Sequence, residues 1–95
     1  MAEQQIQTSI IGYLEKEGWD CIKTIRLSKA GYPDILAQKD GMSIWLECKA
    51  SAKAKKSPLQ IKRIADLKRN GFTAEFVWSV EQVRDIISSI SCERS

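Results

Sequence analysis

Residues 34–49 read Asp-Ile-Leu-Ala-Gln-Lys-Asp-Gly-Met-Ser-Ile-Trp-Leu-Glu-Cys-Lys, two strand-forming runs that meet at Asp40-Gly41. Aspartate followed by glycine tolerates a positive φ at both central positions of a type I′ turn, and that turn's twist matches a pair of antiparallel strands. A hairpin is therefore the piece of structure to which this chain is most firmly committed. Its second strand alternates: Ile44, Leu46 and Cys48 fall on one face, Ser43, Trp45, Glu47 and Lys49 on the other.

The flanking segments organise around this hairpin. Ile6, Ile10 and Leu14 recur every four residues with Tyr13 beside them, so residues 3–17 read as a helix that Gly18 can close. Residues 19–27 alternate loosely around Ile22 and Ile25 and read as a strand; residues 28–33 (SKAGYP) read as a turn. Alanine, serine and lysine dominate residues 50–56, which read as a mobile loop. Ser57-Pro58-Leu59-Gln60 then opens a helix, with serine as N-cap, proline at N1 and glutamine at N3. Leu59, Ile64 and Leu67 give it a narrow apolar stripe, and Gly71 ends it. Residues 72–78 form a strand. Ser79 and Gln82 make a second capping box, opening a helix with Val83, Ile86, Ile87 and Ile90 whose last residues, 91–95, should fray.

The order is helix, three strands, helix, strand, helix. The first three strands suit an antiparallel meander, and the fourth, returning across a helix, suits a parallel partner in a mixed α/β sheet. Ninety-five residues leave room for one modest core, so a single domain spanning 1–95 is expected.

Composition narrows the chemistry. The chain has no histidine, which removes the commonest general base and every Ser-His or Cys-His mechanism. Cys21, Cys48 and Cys92 are widely spaced, form no CxxC pair, and read as reduced thiols, the first two as small core residues. Catalysis must then rest on carboxylates, lysine, or a metal held by oxygen. The beginning of the chain, MAEQQIQTSI, lacks the cationic end and apolar stretch of a signal peptide, and no apolar run is long enough to span a bilayer; a cytoplasmic protein is the expectation. Residues 49–69 hold eight lysines and arginines and one acid, Asp66, for a charge of +7 against −4 over the remainder. Clustered cations are the footprint of a polyanionic partner, although a solvated helix face looks similar.

Asp34 stands at the mouth of the first hairpin strand, and Glu47 and Lys49 lie two apart on the second, so the two carboxylates are near one end of the hairpin, in a register still open. Two acids in one cleft repel each other unless a cation joins them. Magnesium accepts a few carboxylates, keeps several waters and takes phosphate oxygens. A lysine beside it could orient or deprotonate water, or neutralise charge developing on phosphate. Taken alone, Glu-x-Lys is common on a solvated strand, and an Asp after proline is common in turns. With a basic loop just downstream, hydrolysis of a phosphodiester is the better reading.

These residues also carry a resemblance. Ala30-Gly31-Tyr32-Pro33-Asp34, then Glu47-Cys48-Lys49, resembles the PD-(D/E)XK nuclease signature, and more closely the VRR-NUC family in its stand-alone phage and bacterial form. Glu3 to Ile6, Ser57 to Gln60 and the Gly71-Phe72 strand extend the likeness over nearly the whole chain. The resemblance implies a restriction-endonuclease-like αβββαβ core with an added C-terminal helix. It implies a divalent metal, Mg²⁺ or Mn²⁺, held by Glu3, Asp34, Glu47 and the main-chain carbonyl of Cys48, with Lys49 and Gln60 completing the catalytic group. Glu3 also suits the first turn of a helix, and Gln60 its capping box, without any catalysis. Trp45 suits stacking on a base or, better, cover over the core.

The expectation is thus a structure-selective DNA endonuclease. Lys53, Lys55, Lys56, Lys62 and Arg63, with Arg26 and Lys29 beside the active-site turn, would hold phosphates without reading sequence. The resemblance points to branched DNA, four-way junctions in particular, and a junction's two symmetric cuts suit a homodimer. The rivals are a less selective nickase, flap or single-strand nuclease, a non-catalytic nucleic-acid-binding module on the same scaffold, and an accessory protein.

Overall fold

The computed structural model describes residues 2–24 and 30–94, the last three of these by backbone alone. Its elements are α1 (Glu3–Lys16), β1 (Asp20–Lys23), β2 (Ile35–Lys39), β3 (Met42–Cys48), α2 (Pro58–Arg69), β4 (Thr73–Val77) and α3 (Val80–Arg94). The sheet order is β1-β2-β3-β4; β1–β2 and β2–β3 are antiparallel, β3–β4 parallel. This is the expected αβββαβ arrangement with a further C-terminal helix. Asp40 (φ 50°) and Gly41 (φ 79°) both take the left-handed conformation, so the hairpin turn is built as the sequence demands.

The period of two splits the sheet into two faces. Ile35, Ala37, Ile44, Leu46, Cys48 and Val77 point to one face and are fully buried beneath α1 and α3. There they meet Ile6, Ile10 and Leu14 from α1, spaced one turn apart, and Val83 from α3. Burying each such side chain stabilises the fold by roughly 1.5–3 kcal/mol. Trp45, Ala74 and Phe76 point to the other face, under Ile64 and Leu67 of α2. Lys39 Nζ donates to the Glu17 carbonyl at 2.6 Å, satisfying an acceptor at the C-terminal end of α1.

Four expectations need correction. Within the described residues β1 is only Asp20–Lys23: Trp19 lies before it, buried at the edge of the core, and residues 25–27 fall outside the described chain. Phe72 precedes β4 and is exposed. Leu59 is 38% exposed rather than part of α2's buried stripe, because it faces the turn at Gly31 instead of the sheet. Helix α3 runs on to Arg94 instead of ending near residue 91, since no glycine or proline interrupts its backbone ladder.

Candidate active site

Strand register assembles the site. Lys23, Ile35, Leu46 and Glu75 stand abreast across the sheet. One residue further along, Asp34 comes opposite Glu47, which is paired with Phe76, and the Thr24 N–H donates to the Asp34 carbonyl at 2.9 Å. The register left open by the sequence therefore sets the two acids side by side, close enough for their carboxyls to share a proton. Lys49, two residues beyond Glu47, shares its face, and the Lys49 N–H continues the ladder to the Val77 carbonyl at 2.8 Å.

Glu47 is 4% exposed and Lys49 7% exposed, the buried charged side chains among the described residues. A solvated strand face is thereby excluded for both, and buried charges need partners. Gln60 supplies them from the first turn of α2. Its Nε2 donates to Glu47 Oε2 at 3.1 Å, and its Oε1 accepts from Lys49 Nζ at 2.8 Å. The same oxygen accepts from the Ser57 N–H at 3.2 Å, while the Gln60 N–H donates to Ser57 Oγ at 3.1 Å. Capping box and site contact are one structure, so the two roles expected of Gln60 do not compete. The amide can point only one way, since reversal would set its NH₂ against the ammonium and its oxygen against the carboxylate.

Asp34 is held as closely. Its Oδ2 accepts from the Cys48 N–H at 3.1 Å. Thr24 Oγ1 donates to the Pro33 carbonyl, and the Arg63 Nε donates to the Ala30 carbonyl at 2.9 Å. Gly31, at φ 86°, completes the turn: a Cβ there would stand 2.5 Å from Leu59 Cγ. Thr24 and the Arg63 clamp escaped the sequence reading. Nothing in a lone threonine marks it; only the β1–β2 register reveals it.

Burial raises the Asp34 carboxyl above its ordinary range, although the Cys48 N–H pulls it back. Burial, and then the charge of Asp34, push Glu47 up to about 8. Burial and the neighbouring acids lift the Cys48 thiol to about 12, so it stays protonated on the apolar face. Burial likewise lifts the half-buried Cys21 thiol to about 11.

Glu3 is exposed at the start of α1, near enough for its charge to raise Asp34, Glu47 and Cys48. Among the described residues, no three Asp, Glu, Cys or His side chains gather into a metal-holding group. Asp34 and Glu47 form the pair, Cys48 adds backbone, and Glu3 stands outside. Hard carboxylate oxygens of this number fit a divalent cation that retains water. Of the basic residues, Lys53 and Lys55 are exposed, Lys56 lies 5.3 Å from the Phe76 ring centroid, and Lys62 pairs with Asp66 at 3.9 Å. Arg26 and Lys29 lie outside the described residues. Trp45 packs in the core under α2, its ring 5.7 Å from that of Tyr32.

A mixed sheet that sets an aspartate against a Glu-x-Lys strand defines a nuclease of the PD-(D/E)XK type. The model of the archaeal Holliday junction resolvase (Hjc) family matches residues 4–78, which include Asp34, Glu47, Lys49 and Gln60, and the chain belongs to that family. Two solved structures share its fold. One, described as a VRR_NUC domain, is 24% identical with a TM-score of 0.80, covering 90% of this chain and 94% of its own. The other, a VRR_NUC domain protein, is 20% identical with a TM-score of 0.76, covering 93% of this chain and 86% of its own. No curated protein matches the chain.

Proposed function

We propose that the protein is a metal-dependent endonuclease selective for branched DNA, four-way junctions in particular, acting through a single nuclease domain. The observation that carries the metal dependence is the pairing of half-buried Asp34 with buried Glu47, whose repulsion a divalent cation would relieve. Asp34 and Glu47 would hold Mg²⁺ or Mn²⁺ with the Cys48 carbonyl, and Glu3, outside the pair, would add its negative charge from the start of α1. When bound, such an ion supplies Lewis-acid stabilisation of the phosphate and a more acidic water. Lys49, held by Gln60, brings a fixed cation to the same face, where charge develops on the phosphate. Lys53, Lys55, Lys56 and Lys62, on the loop before α2 and its first turns, would bind the flanking phosphates. The family's description supports the junction as substrate. A non-catalytic binding module would explain the lysines but leave Asp34 and the buried Glu47 side by side without purpose.

The test is cleavage of labelled junction, flap, duplex and single-stranded DNA, with Mg²⁺ or with EDTA, by wild type, Asp34→Asn and Lys49→Ala. Metal-dependent cutting of the junction by wild type alone is expected. No cutting of any substrate would end the enzyme reading, and equal cutting of all four would end the selectivity. Sedimentation with and without junction DNA tests the homodimer; a monomer throughout at micromolar concentration would reject it.

A further inference from the structure

We infer that Arg63 is a positioning residue, which ties α2 to the Ala30–Asp34 turn and so sets the Asp34 carboxylate against the Glu47 and Lys49 that the same helix holds through Gln60. The inference rests on the metal-dependent nuclease reading, and it differs from the phosphate-binding role that the position of Arg63 in the basic stretch suggests. Three contacts carry it. The Arg63 Nε donates to the Ala30 carbonyl at 2.9 Å. Its guanidinium carbon lies 5.2 Å from the centroid of the Tyr32 ring. Its Cγ, with the Leu59 side chain, occupies the space that a Cβ on Gly31 would need. Residues 30, 31 and 32 are thus each held by α2, four residues or fewer before Asp34. Gln60 lies three residues before Arg63, nearly one helical turn, so a single rigid helix fixes both halves of the site.

Chemistry separates the two roles. A phosphate contact needs a positive charge, which lysine supplies. The clamp needs a planar group that donates to a carbonyl and lies on a ring, which lysine's compact ammonium does not reproduce.

The experiment titrates DNA-free protein with Mn²⁺, reading free ion by electron paramagnetic resonance. Junction binding in EDTA is measured over a series of salt concentrations on the same proteins. Arg63→Lys and Arg63→Gln should both weaken Mn²⁺ binding by roughly 10-fold or more, as loss of a ligand's supporting contacts does. The Lys variant should bind junction as wild type does, with the same salt dependence. Mn²⁺ binding unchanged in both variants overturns the inference, as does full recovery of Mn²⁺ binding in the Lys variant. Should Arg63→Lys fail to fold, Tyr32→Leu removes the ring and leaves the arginine's charge. Weakened Mn²⁺ binding in that variant supports the clamp, and unchanged binding overturns it. Absence of Mn²⁺ binding by wild type itself removes the nuclease reading, and the inference with it; Mn²⁺ binding by wild type that is unchanged in the variants leaves that reading standing and rejects the clamp alone.

Discussion

Under α1 and α3 the sheet presents Ile35, Ala37, Ile44, Leu46, Cys48 and Val77, all fully buried; under α2 it presents Trp45, Ala74 and Phe76, then Asp34, Glu47 and Lys49. Strand β3 serves both faces, Leu46 and Cys48 alternating with Trp45, Glu47 and Lys49. On the first face burial removes apolar surface from water and stabilises the fold. On the second it removes charge from water, raising both acids and leaving a repulsion for a cation to relieve. Neighbouring residues of one strand thus divide stability from chemistry, and the division can be tested by breaking one side at a time.

The largest contrast is expected between Asp34→Asn and Leu46→Ala. Asparagine keeps an acceptor for the Cys48 N–H and removes one of two like charges. Junction cleavage should fall on the order of 10²-fold or more, while the melting temperature holds or rises. Leu46→Ala should cost about 2–5 kcal/mol of stability and leave the folded fraction able to cleave. Denaturant melts beside cleavage rates measure both. A destabilised Asp34→Asn that still cleaves would erase the division between the faces.

Gln60 sits where the two kinds of role meet, and Gln60→Glu sharpens the contrast. Glutamate preserves the capping box with Ser57, so the start of α2 should survive. It also sets a third acid against Glu47 in place of a donor. Cleavage should fall roughly 10- to 100-fold, one lost charge-assisted contact being worth roughly 1.5–3 kcal/mol, with little change in melting temperature. Wild-type cleavage would reduce Gln60 to a cap.

These residues also show how far the sequence could be read. The hairpin turn, both capping boxes and the stripe Ile6, Ile10, Leu14 were legible because each depends on neighbours within about four positions. Asp34, Glu47 and Lys49 were legible as types and spacings, but their register depended on how β2 and β3 align. Contacts that join distant segments left no local trace. Thr24 reaches Pro33, and Arg63 reaches Ala30 across 33 residues. In sequence Arg63 belongs to a basic run, because charge is visible there and a carbonyl partner is not. Leu59 departs from the α2 stripe for the same reason: helical periodicity says which side chains align, not which surface they meet.

Among the loop lysines the expected effects are smaller. Lys53→Ala and Lys55→Ala, both at exposed positions, should each lower the logarithmic salt slope of junction binding by about 1. Lys56, which leans on Phe76, should show a smaller change in slope. Binding by anisotropy at several salt concentrations measures this. Unchanged slopes would mean that the loop is merely solvated and that the DNA lies elsewhere.

One further effect is thermal and needs no DNA. Glu47 rises from an ordinary value of 4.5 to about 8 on folding, and Asp34 also rises. For an acid raised by folding, the folded state favours the protonated form. The associated stability is complete below the unfolded value and is lost as pH climbs through the folded one. Metal-free protein should therefore melt some 4–8 °C lower for each kcal/mol lost as pH rises from about 5 to about 8. Asp34→Asn should lessen that decline, because burial still raises Glu47 but the charge that adds to it is gone. Mg²⁺ should reverse it: the ion binds the deprotonated pair, so its stabilisation grows with pH. Leu46→Ala, on the other face, should lower the whole curve without changing its slope. A pH slope shared by every variant would place its origin away from Asp34 and Glu47.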